Sequence, residues 1–112
     1  MLYYMIIALL FVDAPDVTIT SPSQGNGGQT VTIQCSYISN PVATNVIWTK
    51  SNQAITIDGS KYVGGTLNNP SLTISNLAKS DEASYKCSVV NAIGQGDSVF
   101  VALTVDTSSR LK

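Results

Sequence analysis

The chain has 112 residues, a formal net charge of −1, a hydrophobic fraction of 44% and a charged fraction of 12%. This length fits one domain with little beyond it, and the charged share is about half that of an ordinary globular protein. The six basic and seven acidic residues are scattered along the chain, with only Asp81 and Glu82 adjacent. That excludes the basic stripe of a nucleic-acid binder, a polybasic membrane anchor and an acidic tail.

Two cysteines, Cys35 and Cys87, lie 52 positions apart, and the chain contains no His. Two cysteines without His cannot complete a zinc site, and the spacing is far too long for a redox CxxC pair. A single long-range disulfide is the favoured reading. Closing a loop of about 50 residues contributes on the order of 4 kcal/mol in the chain-entropy view. It also implies an oxidising compartment.

Met1 to Val12 is an apolar run, MLYYMIIALLFV, too short to span a bilayer. Two readings of residues 1–14 stand side by side. One is a secretory signal peptide, with Met5 to Val12 as its apolar region and Val-Asp-Ala as a small-residue cleavage site. The other is the last strand of a preceding domain, because the segment resembles the chain's own ending, VALTVD at Val101 to Asp106. Residues 15–106 are read as one domain and 107–112 as a polar tail.

From Asp16 onward, short alternating runs of Val, Ile, Thr and Tyr are separated by Gly, Asn, Pro and Ser. This predicts an all-β sandwich or barrel. Val17 to Thr20 reads as the first strand, and Ser21 to Gly28 as a turn-rich link. In Thr30 to Tyr37, the period of two turns Val31, Ile33, Cys35 and Tyr37 to one, buried face. Asn45 to Lys50 follows with Val46 and Trp48 inward. Gln53 to Ile57 and Lys61 to Val63 read as weaker strands. Ser71 to Asn76 turns Leu72 and Ile74 inward. Tyr85, Cys87 and Val89 alternate inward, as do Val99, Val101, Leu103 and Val105.

At Cys35, Trp48 and Cys87 the sequence resembles the immunoglobulin superfamily. Trp48 lies 13 positions after Cys35, and Asp81-Glu82-Ala83-Ser84-Tyr85-Lys86-Cys87 matches that family's D-x-A-x-Y-x-C string. Leu72-Thr73-Ile74, the Asn91 to Gly94 string and Leu103-x-Val105 are most similar to its intermediate set. The resemblance implies an immunoglobulin-like sandwich of two antiparallel sheets. Cys35 and Cys87 would join the sheets, Trp48 would pack on the bond, and the Tyr85 hydroxyl would reach backbone near Asp81. It further implies an ion pair between Lys61 and Asp81.

Catalytic chemistry finds no equipment here. Without His there is no Ser-His-Asp or Cys-His system. Asp81 and Glu82 are sequence neighbours and do not converge as a carboxylate pair. No acidic cluster has calcium spacing, and Gly25 to Gly28 lacks the Lys and helix of a phosphate loop. No cofactor and no metal are expected. The one N-x-S/T match, Asn69-Pro70-Ser71, is excluded as a glycosylation site by its proline.

The outward residues carry the functional expectation. With Trp48, Cys87 and Val101 pointing in, Ile47, Val90 and Phe100 point out from one sheet. Together with the loop Asn91 to Gly96, its Asn91 and Gly94 included, they are the expected docking face for another protein or a second copy of this chain. The resemblance implies an extracellular recognition or adhesion module, secreted or part of an ectodomain. A structural spacer in a tandem array and an intracellular muscle-type domain with reduced cysteines are the alternatives.

Overall fold

A computed structural model describes residues 12–22 and 24–107, so the readings of residues 1–11 and of the tail's 108–112 lie outside the described residues. Ten strands follow in chain order: β1 (Asp13–Thr20), β2 (Gln24–Asn26), β3 (Val31–Asn40), β4 (Asn45–Lys50), β5 (Gln53–Ala54), β6 (Tyr62–Gly64), β7 (Leu72–Ile74), β8 (Ala83–Val90), β9 (Gln95–Asp97) and β10 (Val101–Asp106). One 3-10 turn, Lys79–Asp81, precedes β8. The first sheet has the order β1-β3-β7-β6 and the second β2-β10-β8-β4-β5, with β9 beside β8.

Alternation builds the core. Ile33 and Cys35 of β3, with Leu72 and Ile74 of β7, face Trp48, Tyr85, Cys87, Val89, Leu103 and Val105 of the other sheet, and all are buried. Each such side chain contributes roughly 1.5–3 kcal/mol of burial. Cys35 and Cys87 are bonded across the sheets, with Cα atoms 6.7 Å apart. Trp48 lies directly opposite Cys87 in the β4–β8 ladder. The Trp48 indole N–H donates to the Pro70 carbonyl at 2.7 Å, which satisfies its polar edge in the interior.

Several expectations need correction. The link Ser21 to Gly28 contains β2, which pairs parallel with β10 and closes the edge of the second sheet, so the pairing is not wholly antiparallel. Gly25 permits this: a side chain there would run into Leu77 and Val31. The weaker strands are also trimmed. Only Gln53 and Ala54 of the expected Gln53 to Ile57 strand join the ladder, because the chain then crosses from one sheet's edge to the other. The first strand begins at Asp13, opposite Asn40, ahead of the expected start at Val17.

Val99 is the clearest inward–outward reversal. Asp97 pairs with Ser88, Ser98 N–H donates to the Cys87 carbonyl at 2.8 Å, and pairing resumes at Val101 opposite Tyr85. Two residues, Val99 and Phe100, therefore stand against one, Lys86. This is a β-bulge. The extra residue breaks the period of two, so Ser98 is buried while Val99 and Phe100 are 73% and 51% exposed.

Candidate recognition face

Two polar knots hold the frame that presents this face. The first centres on Asp81, buried in the 3-10 turn. Its Oδ2 accepts from Lys61 Nζ at 2.7 Å and from the Ala78 N–H at 2.8 Å. Its backbone carbonyl accepts from the Tyr85 hydroxyl at 2.6 Å. Burial, with Tyr62 and Asp81 nearby, pushes the Tyr85 hydroxyl far up, so it stays a donor. Leu72 and Trp48 belong to the same buried core as Tyr85.

The second knot is Asn91. Read from the sequence as part of a docking loop, it is instead 4% exposed. Its Nδ2 donates to the Asp13 carbonyl at 2.7 Å, to Ser39 Oγ at 3.1 Å and to the Pro41 carbonyl at 3.2 Å. Its Oδ1 accepts from the N–H groups of Ile93 and Gly94. The side chain thus ties the first strand and two loops together and has no edge to offer a partner. Gly94 is half-buried beside Ala14, and Gln95 and Gly96 of the expected loop belong to β9. The backbone of Pro15 packs so closely on Gly96 that a Cβ there would overlap the Pro15 carbonyl.

A shallow cleft between β5 and β6 is lined by Lys50, Gln53, Ile55, Asp58, Lys61 and Tyr62. Its cations are already engaged. Lys61 Nζ donates to the carbonyls of Ser75 and Asn76 as well as to Asp81, and Lys50 Nζ donates to the Ser80 carbonyl. The cleft therefore offers a ligand little. Among the described residues, no group of His, Cys, Asp and Glu could hold a metal ion.

The outward face of β4, β8 and β9 has different chemistry. Ile47 stands beside Ser88 and Thr49 beside Lys86, while Ser88 stands beside Asp97 and Val90 beside Gln95. Ile47 and Val90 are half-buried by these neighbours, and Phe100 is the exposed member of the expected trio. The Lys86 ammonium sits 5.3 Å from the Phe100 ring centroid, within cation–π range. It is also 3.7 Å from Asp97 Oδ2. Gln95 Nε2 and Ser88 Oγ donate to Asp97 Oδ1 at 2.9 and 2.7 Å. These donors, Gln95 first, and the Lys86 ammonium hold the Asp97 carboxyl below its usual range. The result is an apolar ledge, Val99 and Phe100, framed by one fixed anion and one cation. Alternation along the sequence turns Val99 inward, and the bulge sets it outward. Its inward neighbour is a Ser, which hydrophobic patterning reads as outward.

The sequence profile of the immunoglobulin domain family matches residues 14–91. Cell adhesion molecule 2 of Xenopus tropicalis is 32% identical over 84 residues, covering 75% of this chain and 18% of that protein. The smooth-muscle myosin light chain kinase of Gallus gallus is 37% identical over 84 residues, 73% of this chain and 4% of that protein. This chain thus spans less than a fifth of either relative. Extracellular domains 3–5 of Drosophila OTK superpose with a TM-score of 0.71 at 28% identity, covering 83% of this chain and 32% of that one. With the joined sheets, the packed Trp48 and the Tyr85–Asp81 contact already in place, the profile match makes the assignment: the chain belongs to the immunoglobulin domain family.

Proposed function

We propose that this chain is a non-catalytic, extracellular recognition module of the adhesion type, which contacts protein partners with the outward face of β4, β8 and β9. The observation that carries the reading is the bulge at Ser98 to Phe100, which turns two apolar side chains to solvent beside the hydrogen-bonded Ser88, Gln95 and Asp97. Exposed apolar groups with a polar rim mark contact surfaces. The kinship with a cell adhesion molecule supplies the functional class. The Cys35–Cys87 bond and the extracellular OTK domains support a location outside the cell.

A second reading, a spacer within a longer tandem array, is favoured by the kinship with a stretch that is 4% of myosin light chain kinase. Multimers of the full chain, displayed to cells before and after surface proteolysis, separate the two. The recognition reading expects binding that proteolysis removes. Phe100→Ser should lose that binding, whereas Ile38→Ser, 78% exposed on the opposite sheet, should keep it. Absence of binding, or equal binding by Phe100→Ser, would favour the spacer.

A further inference from the structure

We propose that Asn26 is a site of spontaneous covalent modification, deamidation to aspartate and isoaspartate, and that the clipping of β2 to β10 sets its rate. The reaction needs a side-chain amide followed by a backbone nitrogen free to approach it. Glycine in the next position favours that approach, because it has no Cβ in the way and reaches backbone angles closed to other residues. The chain holds one Asn-Gly step, Asn26-Gly27, and one Asp-Gly step, Asp58-Gly59. At the second, Asp58 Oδ1 accepts from the Ser60 and Tyr62 N–H groups at 2.9 and 3.1 Å. These bonds, Ser60 foremost, hold the Asp58 carboxyl below its usual range. An ionised carboxylate is a poor electrophile, so that step stays quiet. Asn26 carries a neutral amide instead, and both it and Gly27 are exposed.

In the reaction the Gly27 nitrogen attacks Asn26 Cγ. A new C–N bond closes a succinimide ring, the bond from Cγ to the side-chain nitrogen breaks, and ammonia leaves with the Gly27 amide proton. Water then opens the ring. Opening at Cγ gives aspartate, and opening at the main-chain carbonyl gives isoaspartate, whose backbone is one methylene longer. One water is taken up, one ammonia is released, and nothing is oxidised or reduced. The fold withholds the nucleophile. The Gly27 N–H donates to the Asp106 carbonyl at 2.9 Å, the Gly28 N–H to the Leu77 carbonyl at 2.8 Å, and the Asn26 carbonyl accepts from the Gln29 N–H at 3.0 Å. A nitrogen held on Asp106 cannot turn onto Cγ, so reaction waits until β2 parts from β10. β2 is three residues long and lies at the sheet edge. Such elements open locally without global unfolding. The product then resists reclosing. It sets a carboxylate beside Asp106, the register partner of Asn26, and like charges on adjacent strands repel.

Peptide mapping of the full chain incubated at mildly alkaline pH, beside the same chain reduced and unfolded in urea, tests this. Aspartate and isoaspartate are expected at position 26 in both, more than about tenfold more slowly in the folded chain. That ratio should match the protection of the Gly27 amide against hydrogen exchange, because both processes need the same opening. Gly25→Ala, whose Cβ would run into Leu77 and Val31, should loosen β2 and raise both rates together. Ile38→Ser on the opposite sheet should leave both unchanged, and Asn26→Gln should silence the site. Thermal melting establishes that each variant is folded, and if Gly25→Ala is not, the match between the two rates in the wild type decides. The separated isoaspartate form should melt below the unmodified chain. Three results would each overturn the proposal: a folded chain that reacts as fast as the unfolded one, no product at position 26 while the Gly27 amide exchanges, or a deamidation rate unrelated to that exchange. None of them bears on the recognition reading, which concerns other residues.

Discussion

Asp81 and Asp97 are both aspartates paired with a lysine, yet they do opposite work. Asp81 is 3% exposed in its side chain, and its carboxylate is satisfied from inside the fold by Lys61 and the Ala78 N–H. Asp97 is 45% exposed, with one oxygen fixed and the other turned toward Lys86 at the surface. A buried, satisfied charge resists loss because its partners would be stranded. An exposed pair contributes little to stability and is available for exchange with a partner's charges. The sandwich thus separates what holds it together from what it presents.

The contrast predicts the largest effect at Asp81. Asp81→Ala leaves the Ala78 N–H without its acceptor and removes the counter-charge of Lys61, which keeps only the Ser75 and Asn76 carbonyls, and should cost about 3 kcal/mol in urea unfolding, whereas Asp97→Ala should cost less than about 1 kcal/mol. Equal costs would erase the distinction. Gly96→Ala comes next, because its Cβ would overlap the Pro15 carbonyl. Overpacking of that kind costs roughly 1–3 kcal/mol, and amide exchange in β1 should accelerate with it. Tyr85→Phe removes the 2.6 Å bond to the Asp81 carbonyl and should cost about 1 kcal/mol with no change in association.

A smaller effect is expected at Glu82. Its Oε2 accepts from the Val105 N–H at 2.8 Å and pairs with Lys79 at 3.0 Å, while Lys79 Nζ donates to the Val105 carbonyl. Two side chains thus take the place of β8, whose pairing with β10 spans Val101 to Leu103, as partner for the end of β10 on that edge. The Val105 amide first, then Lys79, holds the Glu82 carboxyl below its ordinary value of 4.5. A lowered folded-state value gives stability that is present above the unfolded value and lost as pH falls through the folded one. Glu82→Gln should therefore flatten the part of the stability profile below about pH 4.5 that Glu82 contributes. The least effect on folding belongs to Phe100→Ser, within about 0.5 kcal/mol, although it should abolish contact.

Most of the frame was legible in the residues, for identifiable reasons. Cys35, Trp48, Leu72, Tyr85 and Cys87 sit where alternation and the family resemblance put them, and all are buried. Such strands bury one face, so a period of two carries the answer. Legibility failed where a residue's role depends on distant chain. Gln24 to Asn26 reads as a turn because its parallel pairing with β10 leaves no local trace. Asn91 reads as a loop residue because its partners at Asp13, Ser39 and Pro41 are 50 or more positions away. At Ser98 to Phe100, one inserted residue reverses the inward–outward order, and the buried Ser gives no hydrophobic signal. Phe100 itself was placed outward from the sequence, so part of the face could be found without the bulge.

The central claim is that the bulged face, not the Asp81 knot or the β5–β6 cleft, is where this chain meets its partner. A dilution series of amide chemical shifts on the full chain tests it directly. Concentration-dependent shifts are expected at Ile47, Lys86, Ser88, Asp97, Val99 and Phe100, with Asp81 and Tyr62 unmoved. Shifts centred on Tyr62 and Lys50, or none at any concentration, would contradict it.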